Sequence, residues 1–412
     1  MRPKSGLTSN NFSRADARRD GSGHVRVTHV ITRLIIGGAQ ENTLASVLGL
    51  RNRPGLLVDL ISGPTLGTEG SLEPVAKSAG VLTVLPELVR PVRPWTDLLG
   101  YRHLVTEFRS GRPDIVHTHS GKAGILGRLA AAKAGVPRIV HGIHGPSFGS
   151  FQGVVANGIF TTAERWAGRV TDHFVVVADA MRRQYLAAGI GRDAQYTRIF
   201  SGFDLGPFQQ ATRDPGLARS LGIRETDLVI GKIARLFERK GHDDLFDAAP
   251  SILRRVPNVR FLLVGDGPWR ARLQARARDT GFPDRFVFVG LVPPGEVCRY
   301  VGLMDLLVHL STREGLARAL PQALANAKPV IAYDCDGASE VCRTGETGFL
   351  VQPGDQAGLV DAVTTLAADG SLRQRLGAIG RAWVTERFTV DRLVRDQESL
   401  YHRVLQAPPA RG

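Results

Sequence analysis

Short runs of β-branched and aliphatic residues alternate along the chain with stretches whose apolar positions recur at helical spacing. The first run, Val25–Ile31, ends at Gly37-Gly38 and passes into Ala39–Leu50, where Ala39, Thr43, Leu44, Val47 and Leu48 fall on one helical face. Further runs lie at Leu56–Ile61, Val81–Leu85, Ile115–Thr118, Arg138–Ile143, His173–Val177 and Thr197–Phe200. The rhythm breaks from Ser201 to about Asp227, where Gly202, Gly206, Pro207, Pro215 and Gly222 interrupt it. It resumes with Leu228–Ile233, Val259–Val264, Phe286–Val289, Leu306–Leu310, Pro329–Tyr333 and Gly348–Val351. Strand, glycine-rich turn and helix in repetition is how a parallel sheet with crossover helices reads. The pattern predicts an α/β protein of two doubly wound parallel sheets, residues 23–206 and 207–390. A helical pattern from Leu372 to about Leu405, anchored by Trp383, Phe388, Leu393 and Val394, closes the chain and is free to pack on either domain.

Composition narrows the class. The chain has 412 residues, and single cores stop growing at roughly 250–300, so two domains are expected. With 43% hydrophobic and 22% charged residues, whole-chain disorder is excluded. Residues 1–22 carry Arg2, Lys4, Arg14, Arg18 and Arg19 with no apolar stretch behind them, which predicts a disordered basic tail and no signal peptide. Three cysteines suit a reducing compartment rather than a disulfide framework. The longest uncharged span, Ile139–Ala163, holds His141, His144, Pro146 and several glycines, unlike a membrane-spanning helix. A cytoplasmic protein is expected.

The formal charge of +14 would suit nucleic acid, a membrane surface or a phosphorylated small molecule. Arginines are scattered, and no basic run has interleaved aromatics, so nucleic acid is not expected as a partner. The stretch Arg90–Arg112 does combine Arg90, Arg93, Arg102, Arg109 and Arg112 with Trp95, Leu98, Tyr101 and Phe108. It reads either as a reversible contact with an anionic membrane or as an ordinary helix with Leu98, Val105 and Phe108 inward.

In two open α/β sheets, ligands bind beyond the carboxyl ends of the strands, so the chemistry should lie on the loops there. Gly37-Gly38 follows the first strand and opens a helix, as a plain turn or as a place where backbone N–H groups approach an anion or a sugar. The loop Arg235-Leu-Phe-Glu-Arg-Lys240-Gly241 sets two fixed cations after a strand of the second sheet. Arg235 and Lys240 together suit a diphosphate; a solvated charged loop is the other reading. Gly265-Asp266-Gly267-Pro268 either clears room for a flat base or simply turns. In Ser311–Gln322, Glu314 is suited to accepting hydrogen bonds from sugar hydroxyls or to capping a helix, and Gln322, two helical turns on, to reaching a ribose. His117 and His119 share a strand face, and His141 and His144 do so less neatly. With no cysteine or carboxylate at ligand spacing, hydrogen-bonding histidines are expected rather than a metal site. Asp334-Cys335-Asp336 has the spacing of a metal-binding Asp-x-Asp, but it follows a buried strand and leads into Gly337-Ala-Ser-Glu340, so loop capping is expected rather than metal binding.

Taken in order, Gly37-Gly38-Ala39-Gln40, Asp114-Ile-Val-His-Thr-His119, Ala234-Arg-Leu-Phe-Glu-Arg-Lys-Gly241, Val264-Gly-Asp-Gly-Pro268, Arg313-Glu-Gly-Leu316 and Gly345-Glu-Thr-Gly-Phe-Leu-Val351 resemble the retaining glycosyltransferases of family 4 over about residues 25–390. The resemblance implies the GT-B architecture: two Rossmann-like domains across a cleft, an acceptor on the first, a nucleotide-sugar on the second, and a closing helix, about 391–412, that crosses back to the first. Carried over, Arg235, Lys240, Glu314 and His144 form the catalytic set, with His144 beside the transferred sugar. Gly38, Gly265, Asp266, Gly267, Gly315, Leu316 and Gln322 bind the donor, and Gly37, His119 and Lys122 lie on the acceptor side. Glu314 matches the first glutamate of the family's paired-glutamate signature. Gln322 stands where the second is usual, keeping an acceptor oxygen and losing the charge. Ala234, Ala317 and Ser201 are further departures.

The resemblance implies metal-independent hexosyl or N-acetylhexosaminyl transfer without a cofactor, because fixed cations hold the diphosphate. The expected donor is a nucleotide-sugar, a UDP-sugar first. The expected acceptor is a glycan or lipid-linked molecule of cell-surface polysaccharide synthesis, met at the inner face of the membrane. Competing classes are a GT-B epimerase, a phosphorylase that would need Lys328 for pyridoxal phosphate, and a non-catalytic two-domain binding protein.

Overall fold

The computed structural model describes residues 23–66, 70–119, 121–149 and 151–409. The expected basic tail lies outside them. The first sheet comprises β1 (Val25–Ile31), β2 (Leu56–Ser62), β3 (Leu82–Val84), β4 (Ile115–His119), β5 (Arg138–Ile143), β6 (His173–Val176) and β7 (Tyr196–Arg198). The second comprises β8 (Leu228–Ile233), β9 (Val259–Val264), β10 (Phe286–Gly290), β11 (Leu306–His309), β12 (Val330–Tyr333) and β13 (Gly348–Val351). Every pairing is parallel. The strand orders are β3-β2-β1-β4-β5-β6-β7 and β10-β9-β8-β11-β12-β13. Each order reverses once, between β1 and β4 and between β8 and β11. The loops after those strands are where a doubly wound sheet opens a crevice for a ligand.

Helices cover both faces of each sheet, which explains why the central strands read as continuous apolar runs. All of β4 is buried. One face of the first sheet packs under the helix Gly38–Arg51 and the other under Pro94–Gly111 and Gly121–Ala134. Among the described residues no helix is long and apolar enough to cross a membrane.

The closing helical pattern is two helices, Gly370–Arg387 and Val390–Gln406. Phe388 packs in the second core, whereas Leu393, Val394, Leu400 and Tyr401 pack in the first beside Leu44 and Val47. The helix therefore breaks where the chain changes domain, and the Thr389 side chain caps the restart by accepting from the Arg392 N–H at 3.2 Å. Periodicity alone runs through this break because both halves are amphipathic. The chain makes its first crossing just before the expected boundary at residue 206: Ile199 belongs to the first core, Phe203 and Leu205 to the second. The two crossings are tied together, the Phe203 N–H donating to the Phe388 carbonyl at 2.8 Å.

Candidate active site

The loop after β8 carries Arg235 and Lys240, both against one aromatic ring. The Arg235 guanidinium carbon lies 4.6 Å and the Lys240 ammonium 5.7 Å from the Phe237 ring centre. Gly241 ends this loop with φ 61°, and a methyl there would lie 1.9 Å from the Leu310 carbonyl oxygen. Only glycine lets the loop lie against the end of β11. The helix His242–Arg255 starts at once, so two cations and a helix N-terminus face one place.

The loop after β11 brings Glu314 to the same place. Its Oε1 accepts from Lys240 Nζ and, at 3.2 Å, from Ser311 Oγ. Its own N–H donates to Asp336 Oδ2 at 2.7 Å, so Asp336 holds the loop rather than standing free. Burial pushes the Glu314 carboxyl up, but Lys240 and His309 outweigh it and hold it below its usual range. The sequence places Gln322 two helical turns from Glu314; in the structure the helix spans Ala319–Ala325, so the intervening segment is loop and that spacing does not apply.

Gly265, Asp266 and Gly267 serve the neighbouring loop. A methyl on Gly265 would lie 2.1 Å from the Ala234 carbonyl oxygen, and one on Gly267 2.5 Å from that of Leu236. Leu236 N–H donates to the Asp266 carbonyl at 2.9 Å. The small residues thus let the cation-bearing loop seat closely.

From the first domain, the loop after β5 supplies His144. Ser147 of this loop donates to Glu164 at 2.8 Å, and Glu164 forms a fully buried ion pair with Arg128 at 2.6 Å. His119, buried at the end of β4, stands behind His144, with Nδ1 2.9 Å from His144 Nε2. Lys122 is not brought to the site. Its ammonium donates to the Val89 and Pro91 carbonyls at 2.8 and 2.6 Å and pairs with Asp97, which turns it away from His144 and Glu314.

The domains touch across the site. A methyl on Gly315 would lie 1.9 Å from the His144 carbonyl oxygen. Arg313 donates to the Pro146 carbonyl at 2.8 Å, and Arg318, beside Gly38, pairs with Glu41. Gly37 begins that contact in extended backbone. Leu316 packs with Val177 and Ala178 of the first domain. Gly315→Ala should therefore push the domains apart while sparing both cores. Turnover should fall at least about tenfold with an unchanged circular dichroism spectrum and a larger radius of gyration; wild-type activity would show that this contact is not made in the working state.

Three imidazoles, His29, His117 and His119, lie close enough for their nitrogens to share a metal, all of them buried. His29 lies opposite His117 in the β1–β4 register. It went unread in the sequence, although a histidine within the run Val25–Ile31 is a signal. Lys232, inside β8 and buried, also went unread. Burial lowers its ammonium to about 7, behind Lys240 and Glu314.

Residues 36–206 match the family described as Glycosyltransferase Family 4, and residues 216–383 match Glycosyl transferases group 1. The chain is 31% identical over 337 residues to a GDP-mannose-dependent alpha-(1-6)-phosphatidylinositol monomannoside mannosyltransferase of Mycobacterium tuberculosis, covering 78% of this chain and 84% of that protein. It is 26% identical over 289 residues to the Escherichia coli UDP-Gal:alpha-D-GlcNAc-diphosphoundecaprenol alpha-1,3-galactosyltransferase, covering 69% and 74%. The crystal structure of Anabaena HepE with UDP superposes with a TM-score of 0.76 at 21% identity, over 92% of this chain and 100% of that one.

Proposed function

From the premise that the chain belongs to glycosyltransferase family 4 and has the GT-B fold, we propose that it moves a hexose or N-acetylhexosamine from a nucleotide-sugar to a glycan or lipid-linked acceptor with retention of configuration. The observation that carries this reading is the meeting of Lys240, Arg235 and a helix N-terminus with Glu314 at the switch point of the second sheet, opposite His144. The cations and the helix end suit a diphosphate, and Glu314 and His144 suit the sugar attached to it. A diphosphate would compete with Glu314 for Lys240. As the bond to the sugar breaks, charge grows on the phosphate, and Arg235 and Lys240 are placed to stabilise it. The phosphate itself would then take the acceptor's proton on the same face.

With two fixed cations at the diphosphate, no divalent ion is needed. Incubation with UDP-, GDP- and ADP-sugars, with and without EDTA, tests the proposal by nucleotide release. A UDP-sugar is the expected donor: the E. coli relative uses UDP-Gal, and HepE is described with UDP. The mycobacterial relative is GDP-mannose-dependent, which makes a GDP-hexose the second arm. No release from any donor would refute transfer; loss in EDTA restored by Mn²⁺ would refute metal independence.

A membrane-borne acceptor is supported by an exposed apolar and basic surface on the first domain. The helix Pro94–Gly111 buries Leu104, Val105 and Phe108, so Phe108 belongs to the core. Trp95, 81% exposed, and Leu98 and Leu99 face outward near exposed Arg90, Arg93 and Arg102. Val154, 91% exposed, Val155 and Ile159 extend the same character on the helix Val154–Gly168. The expected result is sedimentation with anionic liposomes at low salt, weakened as salt rises, since each Arg near the surface contributes about 1 kcal/mol. Trp95→Ser with Val154→Ser should abolish it. No sedimentation at low salt would favour a soluble acceptor.

A further inference from the structure

A chain of four imidazoles and one phenol runs from the candidate site into the first core. His144 Nε2 lies 2.9 Å from His119 Nδ1, and His119 Nε2 lies 2.9 Å from His29 Nδ1. His29 Nε2 lies 3.2 Å from the Tyr401 hydroxyl, which lies 2.7 Å from His117 Nδ1. Tyr401 belongs to the closing helix that crosses back from the second domain. His29, His117, His119 and Tyr401 are all buried. The chain has no slack, because a side chain on Gly142 would begin 2.8 Å from His119 Nδ1 and 3.2 Å from His117 Nε2.

Burial keeps all four rings neutral near pH 7. Each neutral ring has one N–H and one lone pair, and the phenol has one proton. All four contacts are hydrogen bonds, with the buried phenol proton also given an acceptor, only if the donors run in one direction, which leaves two registers. In one, every ring carries its proton on Nε2: His144 donates to His119, His119 to His29 and His29 to Tyr401, while Tyr401 donates to His117. In the other, every ring carries its proton on Nδ1 and each bond is reversed. His117 Nε2 is buried without a partner in either case, as an unpaired N–H in the first register and an unpaired lone pair in the second. A neutral imidazole intrinsically favours the Nε2 proton, and four rings share that preference in the first register.

We propose that Tyr401, acting through His29 and His119, is a positioning residue that holds His144 as its Nε2–H tautomer. His144 Nδ1 then offers a lone pair to the site. That nitrogen has no partner among the described residues, so its tautomer decides whether His144 accepts from a sugar hydroxyl or donates to it. The docking of the closing helix thereby sets the polarity of the site. The sugar contact rests on the glycosyl-transfer reading; the tautomer does not.

The test reads tautomers directly, by long-range ¹H–¹⁵N spectra of the full-length protein labelled in histidine, with rings assigned by single His→Gln variants. In the wild type, His144, His119, His29 and His117 should each show one tautomer, protonated on Nε2. In Tyr401→Phe, His144 should become a mixture of tautomers, and kcat should fall about tenfold with the donor KM within about twofold. An Nδ1–H form of His144 in the wild type overturns the proposal, as does an unchanged single tautomer in Tyr401→Phe. Stoichiometric zinc in the purified protein also overturns it, since His29 and His119 would then share a metal in place of a proton. If Tyr401→Phe does not fold, the wild-type spectrum still decides the register and His29→Gln replaces it as the variant. A tautomer response without transfer from any donor would refute the function and leave the relay standing.

Discussion

Between pH 6 and 4.5 the first domain is expected to unfold cooperatively, ahead of the second. Burial lowers His29 to about 3 and His144 and His173 to about 4, and drives His117, His119 and His141 well below the ordinary range. In the second domain only His242 and His309, both near 4, behave so. The unfolded chain takes up these protons near pH 6.5 and the folded chain only well below that. Their stability is therefore whole above pH 6.5 and is lost as the pH falls. One ring costs up to about 1.4 kcal/mol per pH unit, and six in one domain approach roughly 8 kcal/mol per unit. An ordinary stability of about 5–15 kcal/mol is consumed within about two units. Far-UV circular dichroism from pH 8 to 4 measures this, with the fluorescence of Trp95 and Trp166 reporting the first domain in a Trp269→Phe, Trp383→Phe background. A first-domain midpoint below about pH 4 would mean that the rings accept protons inside the fold.

The strands were legible because helices cover both faces of each sheet, so burial wrote uninterrupted apolar runs such as Val259–Val264, bounded by residues that turn the chain. Gly241 was legible as the end of the cation-bearing loop. That it is needed against the Leu310 carbonyl depends on two loops meeting, which a sequence does not record. The histidines show the same divide. The strand spacing puts His117 and His119 on one face, but their partners His29 and Tyr401 come from a neighbouring strand and from a helix that crosses between domains. The register of a parallel pair depends on the hydrophobic patterns of both strands together, so neither strand alone records it. Lys122 was misplaced for a related reason: its position after β4 is right for a site residue, yet Asp97 and two carbonyls from the preceding crossover reach it first. Charge pairing between distant segments has no local signature. Arg235, Lys240 and Glu314 could be singled out as candidates because their loops follow β8 and β11, where the strand order turns over, and because the family resemblance points to the same positions.

Lys240→Ala should lower turnover about 10²–10³-fold, the range seen when one stabiliser of developing charge is removed. Two effects combine. The leaving diphosphate loses a compact cation, and Glu314 loses the partner that holds its carboxyl ionised against burial. Without Lys240, the Glu314 carboxyl should rise, and its charge should become sensitive to pH near neutrality. Lys240→Ala should therefore gain a pH dependence that the wild type lacks, with activity rising as Glu314 ionises. Arg235→Ala, at an exposed position of the same loop, should raise donor KM and lower turnover without that new dependence, because the Glu314 carboxylate is held by Lys240 and Ser311. Glu314→Gln separates the two effects: it removes the carboxylate while leaving Lys240 free for the diphosphate. If Lys240 and Glu314 act as a unit, Lys240→Ala with Glu314→Gln should be far less impaired than the product of the single losses. Multiplicative losses would mean that the pair seen in the structure is not used in the reaction, and near-normal activity in both Lys240→Ala and Arg235→Ala would remove the diphosphate from this loop altogether.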